Sequence, residues 1–379
     1  AMRISRLMPA ADFWNDESCH IARDPKRPEN ASGLEEWAAG IGMKKVCFFQ
    51  TSGSEGRPKW VCLEKQAFLI SGEAVNRHLA SDKSDCWLVA LPQHHVGGFA
   101  IQARAMLSGA RIVSHLDRWQ PESFYQACMD SRATLVSLVP TQVHDLVHAA
   151  LRSPPSLRAV IVGGGSMSLE LATAARSLGW PVLQSYGMTE AASQIATQLP
   201  HAPHRPMAVL PHWQTRLDEK GRLVIRGPAL ALGYVTQAPH KGWLWHPIGP
   251  ELVTRDIVAL NQDKDRCWLE FIGREIGFVK ILGELVHLAP LQSKLNDLAL
   301  VLNMPTPPVL VPLPDNRRET KLLLAAELHP NADKLLHMYN QAVEPLHQVS
   351  DLRTVSAIPY TALGKVDLIA LIKELTTGG

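Results

Sequence analysis

Short apolar runs of strand length recur through the first half of the chain, each passing into small or polar residues. KKVCFFQ from Lys44 enters TSGS, CWLVAL from Cys86 enters PQHH, ATLVSLV from Ala133 enters PTQ, and RAVIV from Arg158 enters GGGS. Their length and their β-branched and aromatic content predict strands. Helical periodicity follows several of them, as in Thr141–Leu151, with apolar Val143, Leu146, Val147 and Ala150. Strands alternating with helices predict a mostly parallel α/β sheet. Ligands of such sheets gather at the carboxyl ends of the strands, which is where all four turns lie.

The pattern changes near Met207. GRLVIRG from Gly221, ALGYV from Ala231 and CWLEFIG from Cys267 read as short strands joined by turns, predicting a β-rich subdomain. It changes again after Gly273. GFVKILGELV from Gly277 is hairpin-like, Leu288–Leu300 helical, Pro307–Val311 and Lys321–Leu328 strand-like, and Asn331–Leu346 helical, before a last loop and helix. That α+β stretch is long enough for a separate small domain. The expected organisation is α/β: a large N-terminal domain over 1–273, a boundary at 274–277, and a small C-terminal domain over 278–379, which the family resemblance given below makes a hinge and a mobile lid.

Composition narrows the function. The chain has 379 residues, 46% hydrophobic and 20% charged, an ordinary globular profile with room for two or three domains. Thirty-eight Lys and Arg against 36 Asp and Glu leave a net charge of +2, which disfavours a nucleic-acid partner. No apolar run reaches the roughly 18 residues of a membrane span. AMRISRLMPAAD meets Asp12 too early for a signal peptide, and Ala1 before Met2 reads as a cloning scar. Six scattered cysteines without a C-x-x-C pair are expected to be reduced, in the cytoplasm. His94–His95 and His201 with His204 lack companion ligands, so no zinc site is expected.

The sharpest chemistry lies in TSGSEGRPKWV, Thr51 to Val61. Small residues let successive backbone N–H groups turn inward as an anion nest, and hydroxyls plus Lys59 add donors for phosphate oxygens. Taken alone, the segment reads equally as a phosphate loop or a surface turn. It is not a Walker loop, because G-x-x-x-x-G-K-[ST] is unmatched. Likewise YGMTE, Tyr186 to Glu190, offers a π-face and a carboxylate, or a helix cap at Thr189. GGGS, Gly163 to Ser166, lacks the G-x-G-x-x-G of a dinucleotide fold.

Together these strings resemble the adenylate-forming superfamily of acyl- and aryl-CoA synthetases, luciferases and peptide-synthetase adenylation domains. Its loop reads T-S-G-S/T-T-G-x-P-K-x-V, and ten of eleven positions fit, Glu55 replacing Thr. The resemblance implies that Thr51, Ser52, Gly53, Ser54, Gly56 and Lys59 hold ATP phosphates. Tyr186 and Gly187 would face adenine, Thr189 the α-phosphate, and Glu190 would hold Mg²⁺. Gly164, Gly165 and Ser166 would line the adenine and acyl pockets. Thr254-Arg255-Asp256 resembles T-G-D, which gives Asp256 and the later Arg274 to the ribose. PYTALGKVD, Pro359 to Asp367, resembles P-x-T-x-x-G-K, which makes Lys365 the bridge between the attacking carboxylate and the α-phosphate. KILGELV resembles the loop of the thioester step, involving Lys280, Gly283 and Glu284 with CoA.

Three departures accompany the match. The hinge, usually G-R-x-D-D, is GREIG from Gly273, and the E-I-E after the loop is Pro290-Leu291-Gln292. The phosphate loop begins at Thr51, whereas the family precedes it with a long N-terminal subdomain. A homodimer closing that flank is one expected consequence.

Three strings most resemble the o-succinylbenzoyl-CoA synthetases of menaquinone biosynthesis: SLVPTQ from Ser137, LPQHHVGG from Leu91, and Thr254-Arg255-Asp256. His95 then stands at the acyl and pantetheine channel, with Gly97, Gly98 and Ser166 along its wall. A dianionic acid needs a cation for the carboxylate that does not react, and Arg104, in the helix-like stretch Ile101–Leu107, is the choice. A solvated helix arginine is the alternative. The implied activity is AMP-forming ligation of a small carboxylic acid to CoA. Another acid, a carrier-protein acceptor, or a nucleotide-binding module without turnover are the other readings.

Overall fold

A computed structural model describes residues 11–25, 28–51, 59–165, 167, 169–238, 242–274, 278–359, 366 and 368–377. The chain divides into two compact units, Ala1–Glu275 and Ile276–Gly379.

The long sheet of the first unit has a parallel half ordered β8-β7-β6-β4-β5. Its strands are β4 (Cys86–Val89), β5 (Arg111–Ser114), β6 (Leu135–Leu138), β7 (Ala159–Val162) and β8 (Val182–Met188). Helices α3 (Val96–Ser108), α4 (Pro121–Ser131), α5 (Pro140–His148) and α6 (Leu169–Ser177) make the crossovers. The continuous apolar runs have a physical cause, because both faces of these strands are buried. Trp87, Val89, Leu135, Ala159, Ile161 and Leu183 face one core. Leu88, Val136, Leu138, Val160, Val162 and Val182, one residue out of phase, face the other with α4, α5 and α6.

KKVCFFQ departs from its expected place. Its strand β2 (Val46–Thr51) lies in a second sheet, ordered β1-β2-β3-β13-β14. There it pairs in parallel with β1 (His20–Ala22) and antiparallel with β3 (Lys59–Glu64). The Thr51 loop therefore links a hairpin and is not a βα crossover. Helix α1 (Leu34–Gly40) covers one face of this sheet through Leu34 and Ala38. On the other face, Phe49, Val61 and Leu63 share a core with Phe68 of α2 (Lys65–Leu79) and Phe99 of α3.

The stretch after Met207 is β-rich, as its pattern predicts, and its strands are shared between the two sheets. Strands β9 (Ser193–Thr197), β10 (Met207–Val209), β11 (Gln214–Leu217), β12 (Arg222–Arg226), β15 (Leu252–Gln262) and β16 (Cys267–Arg274) continue the long sheet beyond β8, in antiparallel pairs. Strands β13 (Gly233–Ala238) and β14 (Gly242–Pro247) join the second sheet through β3. Pairing partners are set by non-local packing, which a strand's own pattern does not encode.

The second unit is α+β. A hairpin of β17 (Phe278–Ile281) and β18 (Glu284–His287) precedes α7 (Leu288–Val301). A sheet of β19 (Val309–Asp315), β20 (Glu319–Glu327) and β21 (Asp351–Val355) follows. One face packs on α7 and α8 (Ala332–Ala342) through Leu295, Leu335 and Tyr339. The other packs on Leu371 of α9 (Leu368–Thr377). Helix α8 stops short of the expected Leu346, because Pro345 pushes the preceding residue out of helical geometry, and Glu344 is extended at φ −64°, ψ 154°.

Candidate active site

The hairpin geometry of β2 and β3 sets Thr51 opposite Lys59, so the phosphate-loop string begins and ends at one place. The Thr51 hydroxyl sits 3.5 Å from the Lys59 carbonyl oxygen. Ser52, Gly53, Ser54 and Gly56, and with them Glu55, lie outside the described residues. Lys59 Nζ is 3.2 Å from Glu190 Oε1, with side-chain exposures of only 24% and 14%. The same ammonium lies 3.6 Å from the centre of the Tyr234 ring. Tyr234 in turn donates its hydroxyl to Glu190 Oε1 at 3.1 Å. Burial, followed by the charge of Glu190, pushes the Tyr234 phenol well above its ordinary range, so it remains a proton donor. Both hydrogen bonds that described residues give this carboxylate land on Oε1.

Glu190 is carried by a 3₁₀ turn, Thr189–Ala191, between β8 and β9. Its carbonyl accepts the Ala231 N–H at 2.8 Å, tying the YGMTE string to the segment that enters β13. A register shift between Tyr186 and Gly187 opens the β8–β9 ladder here. Gly187 is required by contact: a Cβ there would stand 1.7 Å from the Ser193 carbonyl oxygen. Ser193 itself has φ 106°, a conformation few residues with side chains adopt.

Tyr186 donates its hydroxyl to Asp256 Oδ2 at 2.7 Å, and its ring stacks on Phe271, centroids 6.0 Å apart and planes at 27°. Asp256 is 4% exposed, and its N–H donates to the Thr254 hydroxyl at 3.1 Å. The β15–β16 register places Asp256 opposite Arg274. The Tyr186 hydroxyl thus joins YGMTE to Asp256, and strand pairing sets Arg274, the other position assigned to ribose, opposite it. GGGS follows β7; the Gly163 N–H donates to the Leu138 carbonyl, and Gly164 adopts φ 80°, a conformation that suits glycine. Gly165 completes the turn, and Ser166 lies outside the described residues.

His95 is the N-cap of α3, extended at φ −105°, ψ 141°, with an exposed side chain whose ring centre is 4.4 Å from that of His94. His94 faces Asp24, its Nε2 3.9 Å from the carboxylate. Gly98 has a packing reason to be glycine, because a Cβ would meet the Pro92 and Leu91 carbonyl oxygens at 2.4 and 2.6 Å. At Gly97 the nearest neighbour of such a Cβ is the Leu91 side chain at 3.6 Å. Arg104 is not a solvated helix residue: it is 1% exposed, and Nη2 donates to the Ser193 hydroxyl at 3.1 Å. Its guanidinium lies 5.6 Å from the Trp87 ring centre, and Nε has no hydrogen-bond partner among the described residues. Burial alone pushes this arginine down to about 10. It is a buried cation that no carboxylate among the described residues pairs.

In the second unit, Lys280 and Glu284 belong to the β17–β18 hairpin, whose turn places Leu282 at φ 51° and Gly283 at φ 82°. Two positive φ values in a two-residue loop fit the twist of a hairpin, and glycine suits the second. Lys365, and Glu275, Ile276 and Gly277, where a hinge was expected, lie outside the described residues. Among the described residues, no group of three or more His, Cys, Asp or Glu gathers as a metal cage, and no helix is long and apolar enough to cross a membrane.

Sequence reasoning passed over Tyr234 and Ser193, which complete the Lys59–Glu190 and Arg104 contacts. ALGYV carried only a strand signal, and the one hint at Ser193 was its closeness to YGMTE.

Residues 14–235, more than half of the chain, match the family described as AMP-binding enzyme. The 2-succinylbenzoate–CoA ligase of Bacillus licheniformis is 31% identical over 198 residues, which are 49% of this chain and 41% of that protein. An enzyme of the same description from Bacillus cereus is 30% identical over 247 residues, 59% of this chain and 50% of that one. The chain thus spans half or less of the length of these curated relatives. Among solved structures, an o-succinylbenzoate CoA synthetase from Bacillus subtilis bound with its product analogue superposes with a TM-score of 0.63 at 22% identity, over 86% of this chain and 68% of that one. An amide bond synthetase from Marinactinospora thermotolerans gives 0.61 at 23%, over 87% and 68%. These two likenesses establish the fold, and together with the family match they lead to one conclusion: the chain belongs to the AMP-binding enzymes.

Proposed function

We propose that this chain is an ATP-dependent, AMP-forming acid–CoA ligase and that its acid is o-succinylbenzoate. One observation carries the chemistry. Lys59, Tyr186, Glu190 and Asp256, from three separate strings, meet in two close pairs, Lys59 with Glu190 and Tyr186 with Asp256. Lys59 and the Thr51 loop take the phosphates that leave as pyrophosphate. Tyr186 offers a ring to adenine, while Asp256 and Arg274 take the ribose hydroxyls. Thr189 and Lys365 stabilise charge at the α-phosphorus as the acid's carboxylate attacks it.

Glu190 fits a divalent cation, since a hard ion seeks carboxylate oxygen and Oε2 receives no hydrogen bond from a described residue. Mg²⁺ is ordinarily held by one or two carboxylates together with substrate phosphates, whose charge it neutralises, so a protein cage is unnecessary. For the second half-reaction, the unit carrying Lys280, Gly283 and Glu284 turns about 274–277. Lys365 withdraws, and the CoA thiol attacks the acyl carbon of the adenylate beside His95, so that the acyl–phosphate bond breaks, the thioester forms and AMP leaves.

Arg104 supports the choice of acid. A charge this deeply buried, with no carboxylate partner among the described residues, costs several kcal/mol, which the second carboxylate of o-succinylbenzoate would offset. The name shared by the curated relatives points to the same acid. Arg104→Ala is expected to raise the KM for o-succinylbenzoate roughly 10–100-fold, the scale of a lost charge-assisted hydrogen bond, and to leave the KM for ATP unchanged. An unaltered KM for the acid would remove Arg104 from the acid site.

A further inference from the structure

We propose that Tyr234 is a positioning residue that decides which oxygen of Glu190 meets the divalent cation and where Lys59 waits for phosphate. The proposal rests on the reading of this site as one that binds ATP with a divalent cation. Three elements converge on the phenol. Strand β13 pairs with β3 so that Tyr234 opposes Val61 and Thr236 opposes Lys59. Lys59 is thus the diagonal neighbour of Tyr234, within reach of a long side chain. Its ammonium lies 3.6 Å from the ring centre, a cation–π seat. Glu190 arrives from the Thr189–Ala191 turn, held by its own carbonyl to the Ala231 N–H, three residues before Tyr234.

The geometry at the carboxylate is one-sided. Tyr234 donates to Oε1 at 3.1 Å, and Lys59 reaches the same oxygen at 3.2 Å. With Oε1 held by the hydroxyl, rotation of the carboxylate is restrained and Oε2 is the oxygen left to a cation. When Lys59 turns to a phosphate, the Tyr234 bond remains. A group that orients a metal ligand in this way commonly affects metal affinity about 10–100-fold.

The experiment measures Mn²⁺ binding by electron paramagnetic resonance, in the presence of α,β-methylene ATP, whose α–β bridge resists cleavage. Tyr234→Phe keeps the ring and removes the hydroxyl. It is expected to bind Mn²⁺ roughly 10–100-fold more weakly, with metal-free AMP affinity and melting temperature unchanged. Tyr234→Leu removes the cation seat as well, and is expected to weaken metal-free binding of the ATP analogue in addition. Mn²⁺ affinity in Tyr234→Phe equal to that of the unaltered chain would overturn the proposal while leaving the site intact. If the unaltered chain shows no nucleotide-dependent Mn²⁺ binding, the underlying reading of the site falls and takes the role of Tyr234 with it.

Discussion

Gly187→Ala is expected to lower adenylation at least about 100-fold and to destabilise the larger unit by roughly 1–3 kcal/mol, the usual range for overpacking. The cause is steric. A methyl group at this position would lie 1.7 Å from the Ser193 carbonyl oxygen and 2.7 Å from the Ser193 carbonyl carbon, so backbone must move. What would move is the turn from Tyr186 to Glu190, because the β8–β9 register already shifts at Gly187. Displacing that turn pulls Tyr186 from Asp256 and Glu190 from Lys59 together. Misplacements of about 1 Å at a reacting centre cost on the order of 100-fold in rate. Thermal unfolding and AMP release, measured on the same preparation, check both parts. Wild-type activity with an unchanged melting temperature would show that the close approach at Gly187 does not hold the site.

Lys365→Ala is expected to separate the two half-reactions. Acid-dependent adenylation should fall by ~10²–10³, the scale of one positioned charge on a developing oxyanion. Thioester formation from preformed acyl-adenylate and CoA should persist, since in the proposed second step Lys365 has left the α-phosphate. Equal loss of both steps would contradict the two-conformation scheme and leave Lys365 as a residue of general structural importance.

What could be read from sequence follows from how local each signal is. The parallel half of the long sheet was legible because strands buried on both faces must be apolar throughout, as Trp87, Leu88 and Val89 show by pointing alternately into two cores. The chemical strings were legible for a similar reason: a phosphate loop or a Tyr-Gly-x-Thr-Glu turn needs particular residues within a few positions. Sheet partners were not. Strand β2 has the apolar content of the long sheet's strands and yet lies in the second sheet between β1 and β3, with α1 and α2 packed against it.

Residues whose task comes from long-range pairing were also hidden. Tyr234 meets Glu190 across 44 positions, and Arg104 meets Ser193 across 89. Neither partner carries a local signature, since a tyrosine in a strand and a serine after a turn are both ordinary in sequence. Arg104 shows the reverse limit: its helix-like stretch permitted a surface position, and the fold buries it against Trp87. Gly98 was placed on the pocket wall through the resemblance of LPQHHVGG, and the close carbonyls of Leu91 and Pro92 give its small size a packing reason as well.

The central claim is that this site activates an acid with ATP and passes it to CoA. Its most direct test is thioester formation from o-succinylbenzoate with ATP, Mg²⁺ and CoA, followed by mass alongside AMP release, with benzoate, a fatty acid and no acid as controls. The predicted result is o-succinylbenzoyl-CoA with one AMP per thioester, and neither product in the controls. Absence of AMP with every acid would contradict the claim.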